Sequence, residues 1–265
     1  PYIITDFLPD VNDSTVTVIQ EDERIPGDFV IATNTAVYRL LTQTSQTLLM
    51  LVAGHDTEHG YATGNGTQTR FDKIYGLVQM NGKYLVSDHK NNCLRMANKD
   101  SALVTMTYAG ECRQLGDEDG RPSAARFNGP FGLRYHLGSI YITDSYNQKI
   151  KRFNIAENLI RTIHRSENLE LCDFVIGHRD DVYVFFVTAK NGVLHVLGEQ
   201  ETWLVGHTKT SSRNSDGQFS GAKFNDPIGI QWLDNKTLVV ASAHDSQLRI
   251  IDIEKWEAFS ICECK

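Results

Sequence analysis

An all-β fold built from repeated four-stranded units is what this 265-residue sequence predicts, and three observations carry the expectation. Apolar runs are short, about 5 to 7 residues, rich in Val, Ile, Leu, Tyr and Phe and separated by Gly, Asn and Asp, which is the pattern of strands rather than helices. Three segments repeat a set of landmarks. Gly54, Gly110 and Gly206 close apolar runs, and Gly64, Gly120 and Gly217 follow 10, 10 and 11 residues later. Phe71, Phe127 and Phe224 come next, each preceded by a base (Arg70, Arg126, Lys223), and Gly76, Gly132 and Gly229 lie five residues beyond, with Pro130 and Pro227 ahead of the last two. Finally, an Asn or Asp followed three residues later by an aliphatic residue recurs five times, at Asn34, Asn91, Asn147, Asn191 and Asp245, with separations of 57, 56, 44 and 54.

Taken in order, the units are expected at about 14–53, 54–109, 110–164, 165–205 and 206–261 of one domain spanning 1–265. The second is the most legible, with runs at 76–80, 83–88, 93–97 and 103–109. The third contains the run 139–143 before Asn147 and the basic pair partner of Ile150, Lys151. The fourth, with 182–187, lacks a long Gly-rich loop, which accounts for its shorter period; the fifth holds 237–241 before Leu248-Arg249. Repeats of this length with four antiparallel strands each are the signature of a β-propeller blade, a sheet that buries its faces only against neighbouring blades. Five blades are expected, with a sixth formed from 2–8 and the C-terminal run as the alternative.

The best copy reads Asp119-Gly120, Ala125-Arg126-Phe127, Pro130-Phe131-Gly132-Leu133, Ile140-Tyr141-Ile142-Thr143-Asp144, Asn147 and Ile150-Lys151. This resembles the NHL-repeat β-propeller family, strongly over about 160 residues and more weakly elsewhere. A WD-type pattern is absent. Asp88 and Asp144, with Asn91 and Asn147, fall where the second strand of a blade turns into the third, where short carboxylates and amides bond turn backbone. Phe71, Phe127 and Phe224 are read as core plugs.

The long connections are the places to look for function, since loops beyond about 12 to 15 residues are usually functional or disordered. In a propeller all three emerge on one face. They hold His55, Asp56, Glu58 and His59; Glu111, Arg113, Asp117, Glu118 and Asp119; and His207, Lys209, Arg213 and Asp216. This mixed, mainly acidic set is the expected binding face for a protein or glycoconjugate partner, while the opposite face consists of tight turns such as Asn81-Gly82 and Leu137-Gly138.

Other classes fit less well. The 26 Lys and Arg against 33 Asp and Glu give a net charge of −7, without the basic excess that phosphate neutralisation needs, so the composition argues against a nucleic-acid partner. The RNA-binding branch of the resembling fold has a basic aromatic face, whereas the bases Arg152, Arg161, Arg165 and Arg179 are scattered here. His55, with His207 as its repeat equivalent, has a ligand-type side chain, yet the remaining equivalent is Glu111, so no metal is expected. Asp117 to Asp119 lack the alternating ligands of a calcium loop. Gly-x-Ser-x-Gly, P-loop and GxGxxG patterns are absent. A peptidyl-hydroxyglycine lyase is known within the resembling fold, but none of its metal ligands can be placed here. A non-enzymatic binding module without catalytic residues or cofactor is therefore expected, with a metal-dependent lyase or hydrolase at the channel mouth, or an RNA-binding propeller, as the alternatives.

No apolar run approaches the roughly 20 residues needed to cross a bilayer. The start at Pro1, without Met or a signal-peptide pattern, points to a processed or trimmed chain. Sequons at Asn12, Asn65 and Asn235 are glycosylation candidates. Cys93 opens a third strand and Cys112 lies just past a fourth, adjoining ends that a disulfide can join. Cys262 and Cys264 resemble the edge of a following Cys-rich module. These features favour an extracellular or cell-surface location, with a cytoplasmic one as the alternative.

Overall fold

The computed structural model describes residues 16–43, 47–98, 104–179, 182–189, 192–197, 200–206, 215–242 and 247–263. It is a β-propeller of five four-stranded antiparallel blades. The first blade contains β1 (Val16–Glu21), β2 (Phe29–Thr33), β3 (Ala36–Leu41) and β4 (Leu48–Gly54). The second contains β5 (Ile74–Met80), β6 (Lys83–Asp88), β7 (Cys93–Asn98) and β8 (Met106–Ala109), and the third β9 (Pro130–His136), β10 (Ser139–Asp144), β11 (Lys149–Asn154) and β12 (Leu159–Arg165). The fourth is β13 (Leu171–Arg179), β14 (Val182–Ala189), β15 (Gly192–Leu197) and β16 (Gln200–Gly206). In the fifth, the short β17 (Gly217–Gln218) adds to β21 (Glu257–Glu263) beside β18 (Pro227–Trp232), β19 (Thr237–Ser242) and β20 (Gln247–Asp252). Among the described residues the only helical pieces are single turns of 3-10 helix.

Turn chemistry explains the register. Asn81 and Gly82 have φ of 47° and 77°, and Leu137 and Gly138 of 42° and 74°. Two positive φ values in a two-residue loop give the primed hairpin twist that matches the strands, and they set Met80 opposite Lys83. Gly54, at φ 110°, closes the first blade where a Cβ would sit 2.3 Å from the Thr35 carbonyl. The repeated glycine before each aliphatic run has a different reason. A Cβ on Gly76 would lie 2.4 Å from the Phe131 carbonyl, so its absence lets β5 approach β9. Ser87 fills the junction, accepting from Gly76 N at 2.7 Å and donating to Phe131 O at 2.6 Å.

The chain divides into two compact units, 1–138 with 154–160 and 139–153 with 161–265. In the first, Val30, Val37, Val52, Phe71, Leu77, Tyr84 and Val86 form one cluster that joins the first two blades. In the second, Val175, Phe186, Leu204, Phe224, Ile230, Val240 and Ile251 join the fourth and fifth, and Phe174, Phe185, Leu194 and Tyr141 form a further cluster. Phe71, Phe127 and Phe224 are wholly buried, as core plugs should be.

Cys93 and Cys112 are disulfide-bonded, with Cα atoms 5.0 Å apart, and the bridge fastens the root of the loop after β8 to the start of β7. Cys172 is a free thiol whose pKa burial pushes up to about 12. Closing a loop across a separation of 19 residues stabilises by about 3 kcal/mol in the chain-entropy account. The Cys93→Ser/Cys112→Ser variant is accordingly expected to lose about that much in urea unfolding, with a steeper slope because the released denatured chain exposes more surface. A loss below about 1 kcal/mol would show that the loop root holds without its bridge.

Candidate functional site

The long connection after β4 is anchored by a buried cation that the repeat supplies. Arg95, on β7, is fully buried. Its guanidinium donates to Asp88 Oδ2 at 3.2 Å, Arg70 O at 3.2 Å and Ala62 O at 2.9 Å. It lies 4.9 Å from the Tyr61 ring centre and 5.2 Å from that of Phe71. One side chain thus takes up loop carbonyls, sits over the plugging aromatic and neutralises a buried carboxylate. Asp88 also accepts from Asp72 N at 2.8 Å and Asn91 Nδ2 at 2.9 Å. Burial pushes its carboxyl up, and these three donors oppose that shift.

The same device recurs with altered parts. Lys151 Nζ stands 3.7 Å from Asp144 Oδ2, both side chains fully buried, and Asn147 Nδ2 donates to Asp144 at 2.8 Å. In the fifth blade the aspartate position is Ser242, and Arg249 turns instead to Asp216 Oδ1 at 3.1 Å. Arg249 also donates to Ser215 O at 2.8 Å and to Lys223 O, with its guanidinium 4.3 Å from the Phe224 ring centre. The Asx positions therefore do a structural job, as expected, but against the next strand's base and the preceding loop rather than as caps of their own turn. The 3-10 turn His89–Asn91 has no side-chain cap.

Several expected binding residues are occupied within these loops. His55 Nδ1 accepts from Glu58 N at 3.2 Å and Thr57 N at 3.4 Å. Asp56 accepts from the Tyr38 hydroxyl, whose pKa is raised chiefly by burial and then by that carboxylate. Glu58 receives Arg70 Nε at 2.8 Å, which holds its carboxyl below the usual range. Exposed His59 lies 3.5 Å from Asp72. Glu111 receives Arg126 Nη2 at 2.5 Å, and Arg113 N donates to Asn91 O at 2.6 Å. Asp216 accepts from Ser260 N and Oγ, both at 2.9 Å, as well as from Arg249. Asp117, Glu118 and Asp119 form an exposed acidic edge, stiffened by Arg126 N donating to Glu118 O at 3.0 Å and by the paired backbone bonds of Gly120 with Ile160. His207, Lys209, Arg213 and Asn12 lie outside the described residues, whereas Asn65 and Asn235 are on turns. No group of three metal-ligating side chains occurs among the described residues.

Two features escaped sequence reasoning. Tyr75 and Phe131 stack at 4.1 Å, with the buried His89 ring edge-on to both at 5.0 and 5.7 Å. Burial pushes the His89 pKa down to about 4. A base whose folded pKa falls from 6.5 to about 4 contributes stability that is present above pH 6.5 and lost as pH falls toward 4. The loss is about 3 kcal/mol at most, and a His89→Gln variant should flatten that part of the stability profile against pH. An unchanged profile would refute the assignment. The second feature is a cleft of about 840 Å³ lined by Phe186, His195, Trp232, Asp234, Glu254 and Trp256, among others. It lies at the end of the fifth blade formed by the turns after β18 and β20, the kind of turn that the sequence reading set aside.

The comparisons support the fold. No known protein-family profile matches the chain. An auxiliary nutrient binding protein from Bacteroides thetaiotaomicron superimposes with a TM-score of 0.68 at 7% identity, over 93% of this chain and 57% of that one. A chain of the nidogen/laminin complex gives 0.62 at 9% identity, over 93% and 79%, and streptogramin B lyase 0.57 at 14%, over 94% and 69%. These neighbours are β-propellers. Among curated proteins, SUPPRESSOR OF QUENCHING 1, chloroplastic, from Arabidopsis thaliana is 26% identical over 145 residues, 54% of this chain and 10% of that protein. The chain thus spans about a tenth of that relative's length. Both binding proteins and enzymes are among the neighbours, so the fold leaves the activity open.

Proposed function

We infer that the chain is an NHL-type propeller domain, running through 1–265 as one unit of a larger secreted or cell-surface protein, and that it is a non-enzymatic module holding a protein or glycoconjugate partner. The observation that carries this reading is the rigid mounting of the acidic loop edge. Asp117, Glu118 and Asp119 stand exposed on a connection fastened by the Cys93–Cys112 bridge, by Glu111–Arg126 and by the Gly120–Ile160 bonds. Side chains presented on such a loop lose little freedom on binding, and their charge acts mainly on the rate of association. The disulfide supports an oxidising compartment. The remaining candidates, His55, Asp56, Glu58, His59, Arg113, His207, Lys209, Arg213 and Asp216, are assigned to the same face as supporting or flanking positions.

The test is capture of partners from the extracellular milieu of the source organism by the natural domain and by an Asp117→Lys/Glu118→Lys/Asp119→Lys variant. A partner retained by the first, associating about tenfold more slowly with the second and with altered salt dependence, supports the reading. Identical association would overturn the assignment of this edge. A stoichiometric transition metal in the purified protein would move the assignment to a propeller enzyme.

A further inference from the structure

The cleft between the fourth and fifth blades is built for a different kind of ligand. Phe186 and Trp232 meet edge to face, with ring centres 5.3 Å apart and planes at 85°. They come together because Gly177, on β13, has no side chain; a Cβ there would lie 3.0 Å from Phe186 and 3.2 Å from Trp232. Trp232 Nε1 donates inward to Ile176 O at 3.1 Å, so the indole's one hydrogen-bond donor is already used and the ring offers its π system. Trp256 lines the same space, with Asp234 and Glu254 beside it.

The described lining therefore combines the rings of Phe186, Trp232 and Trp256 and the carboxylates of Asp234 and Glu254 with His195 and Asn235, and it holds no lysine or arginine. Asp234 accepts from Lys236 N at 2.8 Å, which with the Thr237 hydroxyl holds its carboxyl below the usual range, and Glu254 meets Lys236 Nζ at 2.9 Å. Lys236 offsets one of the two negative charges. Aromatic faces with an uncompensated carboxylate attract organic cations through the ring quadrupole and Coulomb attraction together, most of all quaternary ammonium groups, which cannot donate hydrogen bonds. At about 840 Å³ the cleft is within the range of roughly 300–1,000 Å³ typical of small-ligand sites.

We propose that this cleft is a binding site for an organic cation bearing a quaternary ammonium group. It involves none of the acidic loop residues of the reading above and stands or falls separately from it.

The test titrates the intact domain with choline and with its uncharged isostere 3,3-dimethylbutan-1-ol, following the indole N–H resonances of the three tryptophans. Choline is expected to shift Trp232 and Trp256, leave Trp203 in its separate core cluster unmoved, and bind about tenfold more tightly than the isostere. The Asp234→Asn/Glu254→Gln variant, altered only at exposed positions, should lose that preference while keeping its fold. A peptide carrying trimethyl-lysine, titrated in parallel, separates two sources of the same chemistry. Tighter binding of the peptide would place the group on a modified protein, and tighter binding of choline on a free metabolite; both agree with the proposal. Equal binding of choline and the isostere, absence of shifts at Trp232 and Trp256, or a stronger response to methyl glucoside than to choline would overturn it.

Discussion

Replacing Arg95 by Met is expected to lower the unfolding free energy by about 4 kcal/mol, the scale at which removing one member of a buried ion pair strands the other. The change leaves Asp88 fully buried with only the Asp72 and Asn91 donors, so that its carboxyl, already pushed up by burial, must take a proton or stay unpaired, and it frees the carbonyls of Ala62 and Arg70 from the guanidinium that received them. It also removes the cation lying over Tyr61 and Phe71. Methionine nearly fills the volume, so the cost is electrostatic rather than a cavity. The double variant Asp88→Leu/Arg95→Met should recover much of the loss, because a buried pair replaced on both sides by apolar groups is often neutral. Urea unfolding of the two variants checks the sign of the coupling. If the single variant lost less than about 1 kcal/mol, Arg95 would be a passenger in the repeat rather than its anchor.

The repeat was legible because its landmarks are backbone necessities. Gly76 must lack a side chain where β5 approaches Phe131, and Asn81-Gly82 must take positive φ. The turn is local, and the glycine, although its reason lies in the neighbouring blade, recurs at the same place in three repeats, so spacing alone exposed both, and the disulfide followed from adjoining strand ends. Of the expected last strand of the second blade, 103–109, the described residues place Met106–Ala109 in the strand and 104 and 105 ahead of it, and 103 lies outside the described residues. The ion pairs were harder to see. Asp88 and Arg95, like Asp144 and Lys151, stand seven residues apart in both copies, a signal present in the sequence but without meaning until β6 and β7 are set side by side. In the fifth blade even that signal fails, because the carboxylate has moved from position 242 to Asp216. The aromatic cleft was out of reach for a related reason. Gly177, Phe186, Trp232 and Trp256 belong to four strands or turns of two blades and share no spacing, so only packing assembles them.

Truncating Phe127 to Ala should cost about 4 kcal/mol, of the same order as the Arg95 change but by another mechanism, since it empties a fully buried site among rigid strands. Phe127 does more than fill space. Its ring packs against Gly110, where an added Cβ would lie 3.0 Å from the phenyl edge, and its carbonyl accepts from Gly116 N at 3.0 Å. The backbone of the acidic loop therefore hangs from this residue. A cavity here is expected to loosen the loop as well as the core, and hydrogen exchange at the amides of Gly116 and Arg126 should quicken more than at strand amides of β10. Phe127→Leu, which retains most of the apolar volume, should cost only about 1 kcal/mol and leave those amides protected. Equal acceleration of all amides in the Ala variant would mean that the loop is not hung from Phe127 in particular, and the mounting proposed for the acidic edge would then rest on the disulfide, the Glu111–Arg126 pair and the Gly120–Ile160 bonds.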